Sequence, residues 1–171
     1  KKNILGGGKI PGKLSDCRSS DLKVNEIFVV EGDSAAGSAC GGRNSETQAI
    51  LSLKGKIINA EKSDLSDMMK NEEVLNLMIS IGTGIKDNFD ITKLNYGKVI
   101  IMSDADDDGY HIRTLLMCFF YRFMRPLVEN GHIYIAQAPL YMIERKNDPI
   151  YCWTDEDLKK NLESLGNKFK I

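Results

Sequence analysis

The run Val99-Ile100-Ile101-Met102-Ser103-Asp104-Ala105-Asp106-Asp107-Asp108-Gly109 constrains this chain more than any other stretch. Its opening apolar block, bounded by Gly97-Lys98, has the pattern of a buried strand. The strand discharges into four carboxylates within five positions. Such a cluster repels itself unless a cation sits in it. Asp104, Asp106 and Asp108 are spaced two apart, so an extended or tightly turning backbone points all three at one place, where hard oxygen ligands suit Mg²⁺ or Ca²⁺. The first reading is therefore a divalent-metal site, with an acidic surface turn as the plain alternative.

A calcium loop of the EF-hand type begins with the same Asp104-x-Asp106-x-Asp108-Gly109 pattern. The twelfth position of that loop requires a bidentate Glu, and here it is Leu115. The element leading in is a β-branched run, whereas the calcium loop needs a helix there. Both the closing ligand and the incoming element are missing, which argues against a calcium sensor.

At 171 residues and 42% hydrophobic content the chain is long enough for one ordinary domain with an appendage, and it has the means to build a core. Lys and Arg total 23 against 24 Asp and Glu, a net charge of -1. Binding of any polyanion must therefore come from local patches. No apolar run approaches the ~18 residues a membrane helix needs, and nothing resembles a signal peptide. Cys17, Cys40, Cys118 and Cys152 lie far apart without a CxxC pair, and the only histidines are His111 and His132. That spacing speaks against zinc and favours a reducing, intracellular compartment.

The chain opens with a basic, glycine-rich lead-in over residues 1–25, which reads as part of something longer. Glu26-Ile27-Phe28-Val29-Val30 is a second buried-strand candidate. It runs into Glu31-Gly32-Asp33-Ser34-Ala35-Ala36-Gly37, with a helix starting at Asp33 or Ser34. A strand, a glycine turn and a small-residue helix form the kind of junction whose backbone N–H groups face an anion. The glycine spacing matches neither a Walker A nor a GxGxxG loop. Glu31 stands at the strand tip, and in an open parallel sheet the ligand site lies beyond the carboxyl ends of neighbouring strands. Glu31 is thus expected to share an edge with the Asp104 cluster; a helix-dipole partner is the alternative role.

Gly41-Gly42-Arg43 and the segment over residues 52–62 read as a mobile loop, made locally basic by Arg43, Lys54, Lys56 and Lys62 and suited to a phosphodiester or simply solvated. Short helices are predicted over Ser63–Met69 and Asn71–Ile81, the latter ended by Gly82. A wide apolar surface predicts a long helix over His111–Val128, closed by Pro126, whose start brings His111 and Arg113 near the acidic cluster. Strands follow at Ile133–Ala136 and Leu140–Ile143, and a helix over Asp155–Leu165 is capped by Thr154 and ended by Gly166. The alternation predicts an α/β fold: a parallel sheet flanked by helices over 26–145, with a C-terminal appendage over 146–171.

The pairing of Glu31-Gly32-Asp33-Ser34-Ala35 with Asp104-Ala105-Asp106-Asp107-Asp108-Gly109 resembles the Toprim domain, a Rossmann-like fold. Pro11-Gly12-Lys13-Leu14-Ser15-Asp16-Cys17, Gln48-Ala49-Ile50-Leu51, Lys54-Gly55-Lys56-Ile57-Ile58-Asn59, His111-Ile112-Arg113-Thr114-Leu115-Leu116 and Tyr134-Ile135-Ala136-Gln137 narrow the likeness. Together they resemble the B subunits of bacterial type IIA topoisomerases, the DNA gyrase and topoisomerase IV family, from about Ile10 to Met142. Ala36, Ser52, Cys40, Asp107 and Tyr110 depart from the usual family text. Glycine is common at position 36, proline at 52 and lysine at 40, and positions 107 and 110 commonly carry smaller or apolar residues. None of these departures removes a family metal ligand.

The resemblance implies an isomerase that cleaves and religates duplex DNA with Mg²⁺, for which Mn²⁺ or Ca²⁺ can substitute. It implies Glu31, Asp104 and Asp106 as catalytic metal ligands, with Asp108 nearby, reached through water. Lys54, Lys56, His111 and Arg113 are the implied DNA contacts, and Asp33 with Lys54 lies where inhibitors of the family act. It further implies an A-subunit partner carrying the nucleophilic tyrosine, an A2B2 heterotetramer, and an ATP-binding module absent from this stretch, so that the segment alone is inactive. The expected location is the bacterial cytoplasm and nucleoid, or an organelle of bacterial origin. A Toprim nuclease or primase, or a non-catalytic metal-stabilised module that docks the A subunit, are the rival readings; exposed apolar area at Phe119-Phe120 would favour the last.

Overall fold

The computed structural model describes residues 11–54, 60, 62–145 and 148–165. The first ten residues of the basic lead-in, Lys56 and the helix-ending Gly166 lie outside that set. The chain divides between Ala136 and Gln137 into two compact units.

The first unit is built on β1 (Leu14–Ser15), β2 (Glu26–Glu31), β3 (Gln48–Leu53), β4 (Lys98–Met102) and β5 (Ile133–Ile135), in the order β1-β3-β2-β4-β5. Every pairing is parallel except that of β1 with β3. β2 and β4 are β-branched runs buried on the sheet, and Ile27, Val29, Val99 and Ile101 are at most 1 % exposed. Their side chains share one core with Val74, Leu77 and Ile81 of α3 (Glu72–Ile81) and with Leu116, Phe119 and Phe120 of α4 (Asp107–Phe123). The Phe119 and Phe120 rings meet edge-on with centroids 5.6 Å apart. The other face of the sheet carries α1 (Gly32–Gly42), a helix of small residues of which none is buried. α2 (Leu65–Lys70) begins at Asp64, and α3 at Asn71, whose side chain accepts the Val74 N–H at 3.0 Å.

Several elements differ from expectation, β1 among them, since it brings part of the stretch read as a basic lead-in into the sheet. The predicted long helix is two: α4 starts at Asp107 because the Asp106 carboxylate accepts the Gly109 N–H at 2.8 Å, and the helix breaks at Met124. Pro126 sits at the start of α5 (Arg125–Glu129), where a missing N–H is harmless, and so it opens a helix where the sequence was read as closing one. β3, not foreseen, is fully registered on β2 from Glu26↔Gln48 to Glu31↔Leu53 and takes up Ser52 and Leu53 of the segment read as a basic loop. Ser52 interrupts its apolar pattern, yet Ser52 is buried with its hydroxyl satisfied. Arg43, read as part of the same cationic loop, is a brace: one of its guanidinium nitrogens donates to the carbonyls of Ser15, Asp16 and Gln48 at 2.9, 2.9 and 2.6 Å. Phe119 and Phe120 are fully buried, so the exposed apolar surface expected of a docking module is not at these residues.

The second unit contains a two-stranded antiparallel sheet of β6 (Tyr141–Ile143) and β7 (Ile150–Cys152), the latter not foreseen, followed by α6 (Asp155–Leu165). Ile143 and Cys152 are buried, and the Thr154 hydroxyl accepts the Asp157 N–H at 3.0 Å.

Truncating Phe119 to Ala, which empties the best-packed part of the core, is expected to lower unfolding stability by about 3–5 kcal/mol. Urea denaturation of the chain measures it; a change below about 1 kcal/mol would contradict this packing.

Candidate metal and phosphate site

Parallel pairing of β2 with β4 places Val30 opposite Met102, so the two strands end together. Beyond that last pair β2 contributes Glu31 and β4 contributes Ser103 and then Asp104. β2 sends its chain to β3 on one side while β4 lies on the other, a topological switch of the kind where ligands bind. Glu31 is exposed at the strand tip and precedes Gly32, whose φ of +76° would strain a side-chain-bearing residue. The turn after β4 is held by Ser103, whose hydroxyl donates to the Gly109 carbonyl at 3.1 Å. It is also held by contact: a Cβ on Gly109 would stand 2.1 Å from the Asp104 carbonyl oxygen. Only glycine allows helix α4 to sit this close to the acidic turn.

The carboxylates of the two strands sense one another. The Glu31 carboxyl has its pKa raised above the ordinary value, first by partial burial and then by the negative charges of Asp106, Asp108 and Asp104. Asp104, Asp106, Asp107 and Asp108 are all exposed. Among the described residues no three acidic, histidine or cysteine side chains converge closely enough to cage an ion. Asp106 already gives one oxygen to the α4 cap. The donor set is therefore all hard oxygen but open. Ca²⁺ takes about six to eight oxygens, whereas Mg²⁺ is commonly held by one or two carboxylates with phosphate and water completing the shell. An open carboxylate rim fits the second pattern.

The remaining expected residues divide. Asp33 and Lys54 form an ion pair at 2.6 Å, with side chains 60% and 57% exposed. The pairing holds the Asp33 carboxyl below its usual range, and Asp33 raises the Lys54 ammonium in turn. Arg113 lies on α4 with its guanidinium 4.9 Å from the Tyr110 ring centroid and its Nε buried without a partner. His111 is exposed in the second turn of the same helix. Lys56 lies outside the described residues. Two participants escaped sequence reasoning: the Ser52 hydroxyl, which donates to Asp33 at 2.9 Å, and the pair Lys13–Glu73, both largely buried. The Lys13–Glu73 pair spans 60 residues, and no local signal joins two positions so far apart.

A model of the family described as Toprim domain matches residues 26–138. The chain belongs to the Toprim family. Among its relatives are proteins named as the B subunit of DNA gyrase. That of Thermotoga maritima is 50% identical over 168 residues, covering 98% of this chain and 26% of the relative. That of Helicobacter pylori (strain 26695) is 58% identical over 151 residues, 88% of this chain and 20% of the relative. That of Metamycoplasma arthritidis is 54% identical over 171 residues, 100% of this chain and 27% of the relative. This Toprim chain thus spans roughly a quarter of the length of these gyrase subunits.

Two outcomes are expected at the Toprim rim. Gly109→Ala should destabilise the chain by about 1–3 kcal/mol, since the new methyl must displace the Asp104 backbone; an unchanged denaturation midpoint would refute the close approach. Glu31→Gln should raise the metal-free melting temperature by about 1–2 °C at pH 8. A carboxyl whose folded pKa is raised penalises the fold when ionised, so the gain should fade as pH falls through that pKa toward the unfolded value. A gain that instead grows in acid would show that the aspartates do not act on Glu31.

Proposed function

We propose that this Toprim chain is the Mg²⁺-binding part of the DNA cleavage and religation centre of an ATP-dependent type IIA topoisomerase of the gyrase and topoisomerase IV kind. The supporting observation is that the carboxylates of Glu31 and the Asp104 cluster crowd one rim of a sheet in a chain 50–58% identical to gyrase B subunits over most of its length. Glu31, Asp104 and Asp106 hold the ion, and Asp108 contributes through water. When bound, Mg²⁺ stabilises charge on the scissile phosphate and the leaving 3′ oxygen. The alternative role for Glu31, in place of ligation, is to hand a proton to that oxygen. Lys54, Lys56, His111 and Arg113 supply positive charge and N–H donors to the flanking phosphates, neutralising a backbone that the acidic rim alone would repel.

The nucleophilic tyrosine belongs to an A-subunit partner in an A2B2 assembly, ATP binds a module elsewhere in the subunit, and the 171-residue segment alone is inactive. The expected setting is the bacterial cytoplasm. A Toprim nuclease or primase shares the Glu and Asp-x-Asp pattern, but the Thermotoga, Helicobacter and Metamycoplasma relatives are all named gyrase subunits.

The complete subunit mixed with its A-subunit partner, relaxed plasmid, ATP and Mg²⁺ should change DNA topology. Asp104→Ala should lower cleavage about 100-fold or more in that mixture. Nuclease action by the complete subunit without its partner, or undiminished cleavage by the Asp104 variant, would overturn the reading.

A further inference from the structure

Ser52 is the one polar residue inside β3 beyond its first position, and it is 3 % exposed. A buried hydroxyl needs a partner, and this one has found it in a neighbouring helix: Ser52 Oγ donates to Asp33 Oδ1 at 2.9 Å, in the first turn of α1. The other Asp33 oxygen holds the Lys54 ammonium at 2.6 Å. Ser52 N–H also donates to the Lys13 carbonyl at 3.3 Å, so the serine is anchored from two sides. Lys13, whose charge also reaches Asp33, is itself bound to Glu73. Lys54 is thereby left as the direct cation on Asp33.

An exposed ion pair ordinarily contributes little, because two long side chains must be frozen into one geometry. Fixing one partner in advance removes part of that entropy loss. An ammonium has three donors, so Lys54 bound to Asp33 retains two N–H groups for an incoming anion. A cation held in place before the ligand arrives also loses less freedom on binding.

We propose that Ser52 is a positioning residue for DNA phosphate: its buried hydroxyl fixes the Asp33 carboxylate, which holds the Lys54 ammonium just past the end of β3, whose Leu53 pairs with Glu31. The inference rests on the reading of this rim as a phosphodiester site. Proline, common at this position in the family, offers neither the N–H nor the hydroxyl.

The test is a double-mutant cycle in the complete subunit assembled with its A-subunit partner, reading affinity for a fluorescent duplex oligonucleotide across a salt series. Lys54→Ala should weaken binding by about 3–10-fold and reduce the salt slope by about one. Ser52→Ala should weaken it by about 2–4-fold, and Ser52→Thr, which keeps the hydroxyl, should restore it to within about 1.5-fold. Added to Lys54→Ala, the Ser52→Ala change should matter by less than about 1.5-fold. Ser52→Cys, nearly isosteric but a weak donor, is expected to match Ser52→Ala and replaces it should the alanine variant melt early. Equal penalties for Ser52→Ala with and without Lys54, failure of threonine to rescue, or unchanged affinity in the serine or lysine variants would overturn the proposal. Salt-independent binding by the unmodified assembly would instead defeat the phosphodiester reading on which it rests.

Discussion

The parallel register of β2 on β4 fixes what this rim can be. Because Val30 stands opposite Met102, both strands run out at the same level, and each is succeeded by acidic residues. Hydrophobic burial enforces the register: a shift of one residue would turn Ile27, Val29, Val99 and Ile101 away from the core that α3 and α4 complete. Core packing thus holds like charges together that would separate on their own. The Glu31 carboxyl has a raised proton affinity, first from burial and then from the neighbouring aspartates. The fold supplies crowding at the rim, and in the proposed function a cation with its own water and phosphate ligands would supply the relief.

Positive charge around the rim is divided by burial more than by sequence position. Arg43 bonds three carbonyls, and Lys13 binds Glu73 at the far end of a 60-residue separation. Both are consumed by the architecture. Lys54 is paired too, but on the surface, where its partner orients it without enclosing it. Of these three cations on neighbouring elements, only Lys54 is exposed, Lys13 and Arg43 being half-buried.

The sequence made the acidic turn, β2, β4 and α3 legible because each announces itself within a dozen residues, by β-branched runs, an Asn cap or a helical apolar stripe. β3 was not legible. Its Gln48 and Ser52 break the apolar signature, and the hydroxyl that makes Ser52 tolerable inside a sheet meets its acceptor in another element. The boundary of α4 failed for a related reason: the Asp residues that read as metal ligands also cap a helix, and Asp106 does so directly. Pro126 misled because proline ends one helix and begins another with equal ease, and only the Met124 backbone decides which. That Glu31 and the Asp104 cluster share one edge of the sheet was legible. The openness of that edge was not, since whether carboxylates converge depends on side-chain directions that spacing does not encode.

Gly109 joins the acidic turn to the interior. With the helix backbone seated directly on the Asp104 carbonyl and the Ser103 hydroxyl bonded to the Gly109 carbonyl, no slack separates the turn from the 17-residue α4 behind it. A pull on Asp104 cannot be absorbed locally and is transmitted along a rod whose other end is wedged among Phe119, Phe120 and Phe123. The placement of Asp104 is accordingly tied to the packing at the far end of α4, set by aromatic side chains that never touch solvent.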